Sequence, residues 1–284
     1  FNEILRKSKK DIKLTVDKNI QFLIRKELIK YQEIFKSKGS AAILMDVNNG
    51  NILSLVSLPD FDPNQRKNIT DTNLINRVTK GTYELGSVFK TFTFASALNK
   101  DLIKPETEFL NLPKSIRCEK HRIGEYDNEI PSNLSAEQIL IRSGNIGSVR
   151  IAQKIGPEKF KSFLEKVGVL SKISFDIEEV APQKNYNFGK CKLATASFGH
   201  GIATTILQLA KGYSIISNGG FDIKPTLINN RIQNKIKKKR ILNKGVSEQV
   251  VKALRKIVNT EEGTAKFANV PNYEIGGKTG TADQ

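Results

Sequence analysis

The 284-residue sequence has no tryptophan, one methionine, two histidines and two cysteines. A zinc site built from His and Cys needs about four such ligands close together. With only two histidines, His121 and His200, and with Cys118 and Cys191 far apart in the chain, no His/Cys zinc site is expected. The wide separation of the two cysteines fits no metal motif and no dense disulfide framework, so two free thiols are favoured over a single disulfide. No apolar run approaches the ~18 residues needed to cross a bilayer. The longest candidates are short, such as Ala41–Met45. There is no secretory leader-like apolar region, no internal repeat, and no helix-turn-helix, RNP or zinc-finger pattern.

What is abundant is positive charge: 46 Lys+Arg against 29 Asp+Glu, a formal net charge of +17. That balance permits an anionic surface or nucleic acid as partner. However, lysine supplies 35 of the 46 basic residues, and it is spread along the whole chain. Such dispersion marks a compositional habit rather than a binding face. The one dense run, Lys235–Arg240, sits among turn-prone asparagines and reads as an exposed turn or hairpin tip. With 38% apolar residues, the chain is long enough for one large domain or two small ones.

The pattern of elements predicts an α+β order. Ile12, Leu14 and Val16 alternate as in a short strand. Asp17 can cap a helix carrying Ile20, Leu23, Ile24, Leu28, Tyr31, Ile34 and Phe35, which Gly39 would end. Ala41–Val47 and Ile52–Leu58 flank Asn48-Asn49-Gly50-Asn51, the strongest hairpin signal present. A helix opens at Ser87 with Val88, Phe92, Ala95 and Leu98 on one face. Pro105 and Pro113 mark the loop that follows it. Ser135–Ile141, Gly147–Ile155, Pro157–Val167 and Thr205–Ser217 read as helices, with Ser135 and Gln138 forming a start signal and Pro157 another. Ser247 can cap a further helix through Val258. The apolar piece Tyr273–Ile275 leads as a strand into Gly276-Gly277-Lys278. Strands thus lie at the two ends and helices between them, which argues α+β rather than alternating βαβ.

Three short patterns carry chemistry: Ser87-Val88-Phe89-Lys90, Ser143-Gly144-Asn145 and Lys278-Thr279-Gly280-Thr281. The first two arise readily by chance in a chain rich in Ser, Lys and Asn, whereas Lys-Thr-Gly does not. A serine at a helix start has unpaired backbone N–H groups and the positive end of the helix nearby. Lys90, three residues on, returns to the same face. A serine hydroxyl needs an adjacent base to become a nucleophile. A lysine amine can be that base if desolvation or a second cation lowers its pKa. Lys278 could be the second cation, or could anchor a carboxylate with Thr279 and Thr281 donating. The glycines around it permit close approach of a substrate backbone.

In this order the three patterns resemble the serine penicillin-binding protein and β-lactamase superfamily. The wider context resembles class B penicillin-binding proteins, the peptidoglycan transpeptidases, most closely the septal cell-division type. The supporting stretches are Asp11–Gln21, Ala41–Leu58, Ser57–Asn64, Asn76–Lys90, Ser197–Ala210, Tyr213–Gly220, Glu262–Ala265 and Gly276–Ala282. Leu85 departs from the proline of many relatives.

The resemblance implies Ser87 as nucleophile, Lys90 as general base and Ser143 as proton relay. It implies Asn145, Lys278, Thr279, Gly280 and Thr281 as substrate-binding residues, with the Ser87 and Thr281 backbone N–H groups as oxyanion hole. It implies no cofactor and no metal. The expected ligands are D-Ala-D-Ala stem peptides and β-lactams. The expected partners are a membrane glycosyltransferase and division proteins, not nucleic acid. The expected location is the periplasmic side of the inner membrane, held by a single-pass anchor. His200 is expected to be structural or near the site.

The implied fold is an antiparallel sheet flanked by helices with a large helical insert. Residues 1–38 would be a lead-in strand and helix at the junction with a pedestal domain, and 39–284 the transpeptidase domain without its closing strands and C-terminal helix. This stretch by itself is then expected to be inactive. The alternative within the superfamily is a β-lactamase or β-lactam sensor. A class A β-lactamase needs a Glu-x-x-x-Asn after Ser-x-Asn to deacylate, and none lies between Asn145 and Lys278. A stable acyl-enzyme is therefore expected. The distant alternative is a basic nucleic-acid-binding protein.

Overall fold

The computed structural model describes residues 12–65, 70–177, 186–229 and 239–282. Among them the elements run α1 (Lys18–Phe35), β1 (Ser40–Met45), β2 (Ile52–Leu58), α2 (Asp71–Leu74), α3 (Lys90–Asn99), β3 (Ser115–Cys118), β4 (His121–Gly124), α4 (Ala136–Ile141), α5 (Asn145–Ile155), α6 (Pro157–Lys166), α7 (Lys190–Ala196), α8 (Ile206–Ser217) and α9 (Lys244–Asn259). Two compact units emerge. One comprises residues 1–83, 167–183 and 204–239, the other 84–166, 184–203 and 240–284.

The first unit is organised by the predicted hairpin. β1 and β2 pair antiparallel, with Ser40 opposite Leu58 and Ala42 opposite Val56. In β2 every second residue is buried, namely Ile52, Ser54, Val56 and Leu58, as a half-covered strand requires. The turn works as its residues suggest: Asp46 Oδ1 accepts the Asn48 N–H at 2.8 Å. Gly50 takes φ +80°, and a Cβ there would lie 2.3 Å from Lys224 O, so only glycine fits. Asp17 caps α1 by accepting the N–H groups of Asn19 and Ile20. Gln21 on that helix binds Leu55 on β2 through both amide atoms. The helix ends at Phe35, before Gly39. Lys36 adopts the left-handed conformation (φ 50°) and bonds back to Gln32 and Glu33, a C-cap usually reserved for glycine. The core of the unit gathers Ile52, Val78, Ile173, Phe175, Leu207 and Leu227. Most of the Lys235–Arg240 run lies outside the described residues.

The second unit is helical and surrounds α3. Every residue from Lys90 to Leu98 is buried, so the helix is enclosed on all sides and carries Lys90, Thr91, Thr93 and Ser96 into the interior with its apolar residues. Helices α4, α5, α6 and α9 pack against it. Ser135 and Gln138 form the predicted capping box of α4. α9 begins a turn earlier than expected, with Asn243 at its N-cap and Ser247 buried inside it.

Three expectations fail here. The stretch after Pro113, read as loop, contains the antiparallel pair β3–β4. Its residues alternate too briefly to stand out from the surrounding polar sequence. The lysine-motif segment is not a strand among the described residues: 270–282 has no ladder partner, and a strand exists only through pairing. Finally, Cys118 and Cys191 are not free thiols but a disulfide, with Cα atoms 5.6 Å apart. Separation along the chain says nothing about distance once a hairpin presents Cys118 and the first turn of α7 presents Cys191. Neither element was visible in the sequence.

Candidate active site

Ser87 does not open the α-helix itself. It lies in a 3₁₀ turn, Gly86–Phe89, immediately before α3, and Lys90 is the first residue of that helix. The turn is made by Gly86 at φ +57°, where a Cβ would stand 2.0 Å from Thr281 O. Gly280 is pressed against Leu85 O in the same way, at 2.3 Å for an added Cβ. Backbone of the lysine motif thus lies directly along the turn that carries Ser87. Side chains at Gly86 or Gly280 would force the two apart.

The Lys90 side chain is 1% exposed. Its amine bonds to Ser143 O, to Ser143 Oγ at 3.1 Å and to Asn145 Oδ1 at 2.7 Å. These contacts engage all three donors of an ammonium. Burial, and then the neighbouring Lys278, push the Lys90 pKa well below the ordinary lysine value, while Glu125 opposes them. The lowering favours the neutral amine relative to an ordinary lysine, and it is the neutral form whose lone pair can accept a proton. Ser143 itself takes φ +58°, a strained conformation for a non-glycine residue. It connects α4 to α5, and its hydroxyl also accepts from Lys278 Nζ at 2.8 Å. Burial lowers the Lys278 pKa to about 8. Ser143 Oγ therefore joins two amines.

Ser87, Ser143, Asn145, Thr279, Gly280 and Thr281 line one cleft of about 700 Å³. The Thr279 hydroxyl donates to Thr264 Oγ1 at 3.1 Å. All three sequence patterns therefore meet in one place, within the second unit. His200 also lines the cleft, with Nδ1 3.3 Å from Glu84 Oε2.

The family described as penicillin binding protein transpeptidase domain matches residues 40–284. This chain belongs to that family. The transpeptidase domain is 28% identical to the "Probable peptidoglycan D,D-transpeptidase FtsI" of Caulobacter vibrioides, over 95% of this chain and 46% of the relative. It is 29% identical to the "Stage V sporulation protein D" of Bacillus subtilis, over 96% of this chain and 44% of the relative. The chain spans about half the length of these curated relatives. Among solved structures, the apo TP domain of Burkholderia pseudomallei penicillin-binding protein 3 superposes with a TM-score of 0.84. It is 26% identical, over 98% of this chain and 79% of that one.

The transpeptidase domain contains site residues that the sequence did not reveal. Glu125 follows β4 and accepts the backbone N–H groups of Asn145 at 2.6 Å and Ile146 at 2.9 Å. Gly124 O accepts from Asn145 Nδ2 at 2.8 Å. Tyr126 lines the cleft, and its hydroxyl donates to Arg142 O at 3.0 Å. Thr264 lies in the Glu262–Ala265 stretch that supported the resemblance, but its contact with Thr279 had no signal. Glu125 and Tyr126 depend on the β3–β4 hairpin, which short alternation hid.

Proposed function

We propose that this domain is the catalytic part of a class B peptidoglycan D,D-transpeptidase, of the septal type, that cross-links stem peptides through an acyl-enzyme on Ser87. The observation that carries the reading is the buried Lys90 amine, held by Ser143 and Asn145 beneath a cleft that Ser87 lines.

The family resemblance suggests the steps, and the placement of the side chains supports them. A stem peptide ending in D-Ala-D-Ala lies along the lysine motif, its carboxylate toward Lys278, Thr279 and Thr281. Ser87 Oγ attacks the carbonyl carbon of the penultimate residue and passes its proton to Lys90 Nζ. The oxyanion meets the N–H groups of Ser87 and Thr281, each such donor contributing about 10²–10³-fold in rate. The peptide C–N bond breaks, and the leaving amine takes a proton through Ser143. An amine of a neighbouring stem then attacks the Ser87 ester, forms the cross-link and frees Ser87. A β-lactam enters the same path when Ser87 opens its ring. No cofactor takes part in these steps.

The relatives named as peptidoglycan D,D-transpeptidases support this reading. The Cys118–Cys191 bridge supports a periplasmic location, since disulfides persist in oxidising compartments. A membrane anchor, a glycosyltransferase and division proteins as partners complete the proposal.

The test is covalent labelling of the gene-encoded protein that carries this chain by a fluorescent penicillin, with the adduct mapped by mass spectrometry. A stable adduct on Ser87 is expected. An unlabelled protein, an adduct elsewhere, or rapid turnover of nitrocefin would overturn the reading.

The pH dependence of labelling is set by the two amines. Lys90 must be neutral to accept a proton, so the rate should rise as pH climbs through its lowered pKa. Lys278 must be charged to attract the carboxylate, so the rate should fall again as pH passes about 8. The expected rate–pH profile is a bell whose alkaline limb falls near pH 8, well below that of an ordinary lysine. Labelling rates measured across that range check it.

A further inference from the structure

Among groups near the cleft, Glu125 is a charged side chain for which the chemistry above has no use. It is not aimed at the open cleft: its two carboxylate oxygens accept the first two amides of α5, an eleven-residue helix. A carboxylate at this end of a helix satisfies unpaired N–H groups and meets the positive end of the dipole. The first residue of α5 is Asn145, whose Oδ1 takes the Lys90 amine. The same Asn145 is gripped from the side by Gly124 O. One short segment, Gly124-Glu125, therefore fixes both the backbone and the side chain of the residue that aims the base.

We propose that Glu125 is a positioning residue for acylation: by locking the N-terminus of α5, it makes Asn145 and Ser143 hold Lys90 in its working place. The proposal rests on the transpeptidase reading of the site. Glu125 acts a second way, through its charge. Its carboxylate favours the protonated form of Lys90, against the effects of burial and of Lys278. Tyr126 and Asp127 on Glu125's own segment and Arg142 at the end of α4 also interact electrostatically at this junction. Removing the negative charge should thus lower the Lys90 pKa further. A role confined to holding the helix together would leave that pKa where it is.

The experiment compares wild-type protein with Glu125→Gln and Glu125→Asp, measuring fluorescent-penicillin acylation rates across pH together with thermal melting. Glu125→Gln cannot accept both amides through carboxylate oxygens and carries no charge. Its rate should fall by about 10- to 100-fold, the scale of a small misplacement at a reacting group. Its acid limb should move to lower pH. Glu125→Asp keeps the charge, so its acid limb should stay with wild type and its rate should lie between the other two. A wild-type rate and unmoved acid limb in Glu125→Gln would overturn the proposal, as would a lower melting temperature with an unmoved limb. Hydrogen exchange of the Asn145 and Ile146 amides in wild-type protein needs no variant: both should be protected, and fast exchange would also overturn it. Failure of the transpeptidase reading looks different, because wild-type protein would then carry no label on Ser87.

Discussion

Replacing Lys90 with methionine should leave a folded protein whose acylation by a penicillin is slower by about 10²–10⁴-fold, the range contributed by a positioned general base. Methionine is chosen because the site is fully buried. Its unbranched side chain fills the channel that the lysine stem occupies and brings no charge that needs neutralising. The effect is specific because the remaining groups stay in place: Lys278 still donates to Ser143 Oγ, and Thr281 backbone still lies against Gly86. What disappears is the amine that can take the Ser87 proton. Ser143 O and Asn145 Oδ1 also lose a donor, at about 1–3 kcal/mol for each acceptor left unpaired. A drop in Tm should therefore accompany the change, and circular dichroism should show unchanged helix content. Ser87→Ala supplies the reference for no covalent adduct. A Lys90→Met protein that labels at nearly the wild-type rate would remove Lys90 from the base's role.

How far the site could be read in the sequence depended on how local each interaction is. Ser87 and Lys90 sit three residues apart, so helical geometry alone places them together. Even there the serine proved to lie in a 3₁₀ turn before α3, because Gly86 bends the chain at positive φ. Ser143 and Asn145 were legible as a pattern, but not the positive φ of Ser143 that turns its hydroxyl toward two amines. The β1–β2 hairpin was legible because Asn-Gly specifies its own turn and β2 alternates over seven residues. β3 and β4, at four residues each, gave too few alternations to be seen. Everything that depends on them was hidden with them: the Glu125 cap, the Gly124 contact and the disulfide. The lysine motif was read as a strand, whereas among the described residues it is a segment without strand pairing that lies along the turn carrying Ser87. Glycine-permitted backbone contacts hold it there, and these leave no hydrophobic period in the sequence.

Reduction of the Cys118–Cys191 bond, or the Cys118→Ser, Cys191→Ser double change, should destabilise the domain by about 4 kcal/mol, the chain-entropy expectation for a closed loop of this size, given a separation of 73 residues. The loop contains β4, Glu125, α4, the Ser143–Asn145 turn, α5 and α6, so the bond encloses most of the residues that hold the Lys90 amine. Cys118 ends β3, opposite His121 at the start of β4, and Glu125 directly follows that strand. Cys191 is in the first turn of α7, which leads to Phe198, Gly199 and His200 at the cleft. Breaking the bond frees the hairpin from α7 and loosens the segment that aims Asn145. Stability and acylation should therefore fall together. In a domain of this size each kcal/mol corresponds to about 2–4 °C in Tm, so a loss of about 8–16 °C is expected. Fluorescent-penicillin labelling should slow on adding a reductant and recover on reoxidation. Calorimetry and labelling with and without dithiothreitol make the measurement, with the double-serine protein as the control that reductant cannot affect. An unchanged Tm in wild-type protein after complete reduction, confirmed by thiol titration, would show that the hairpin is held by its other contacts alone.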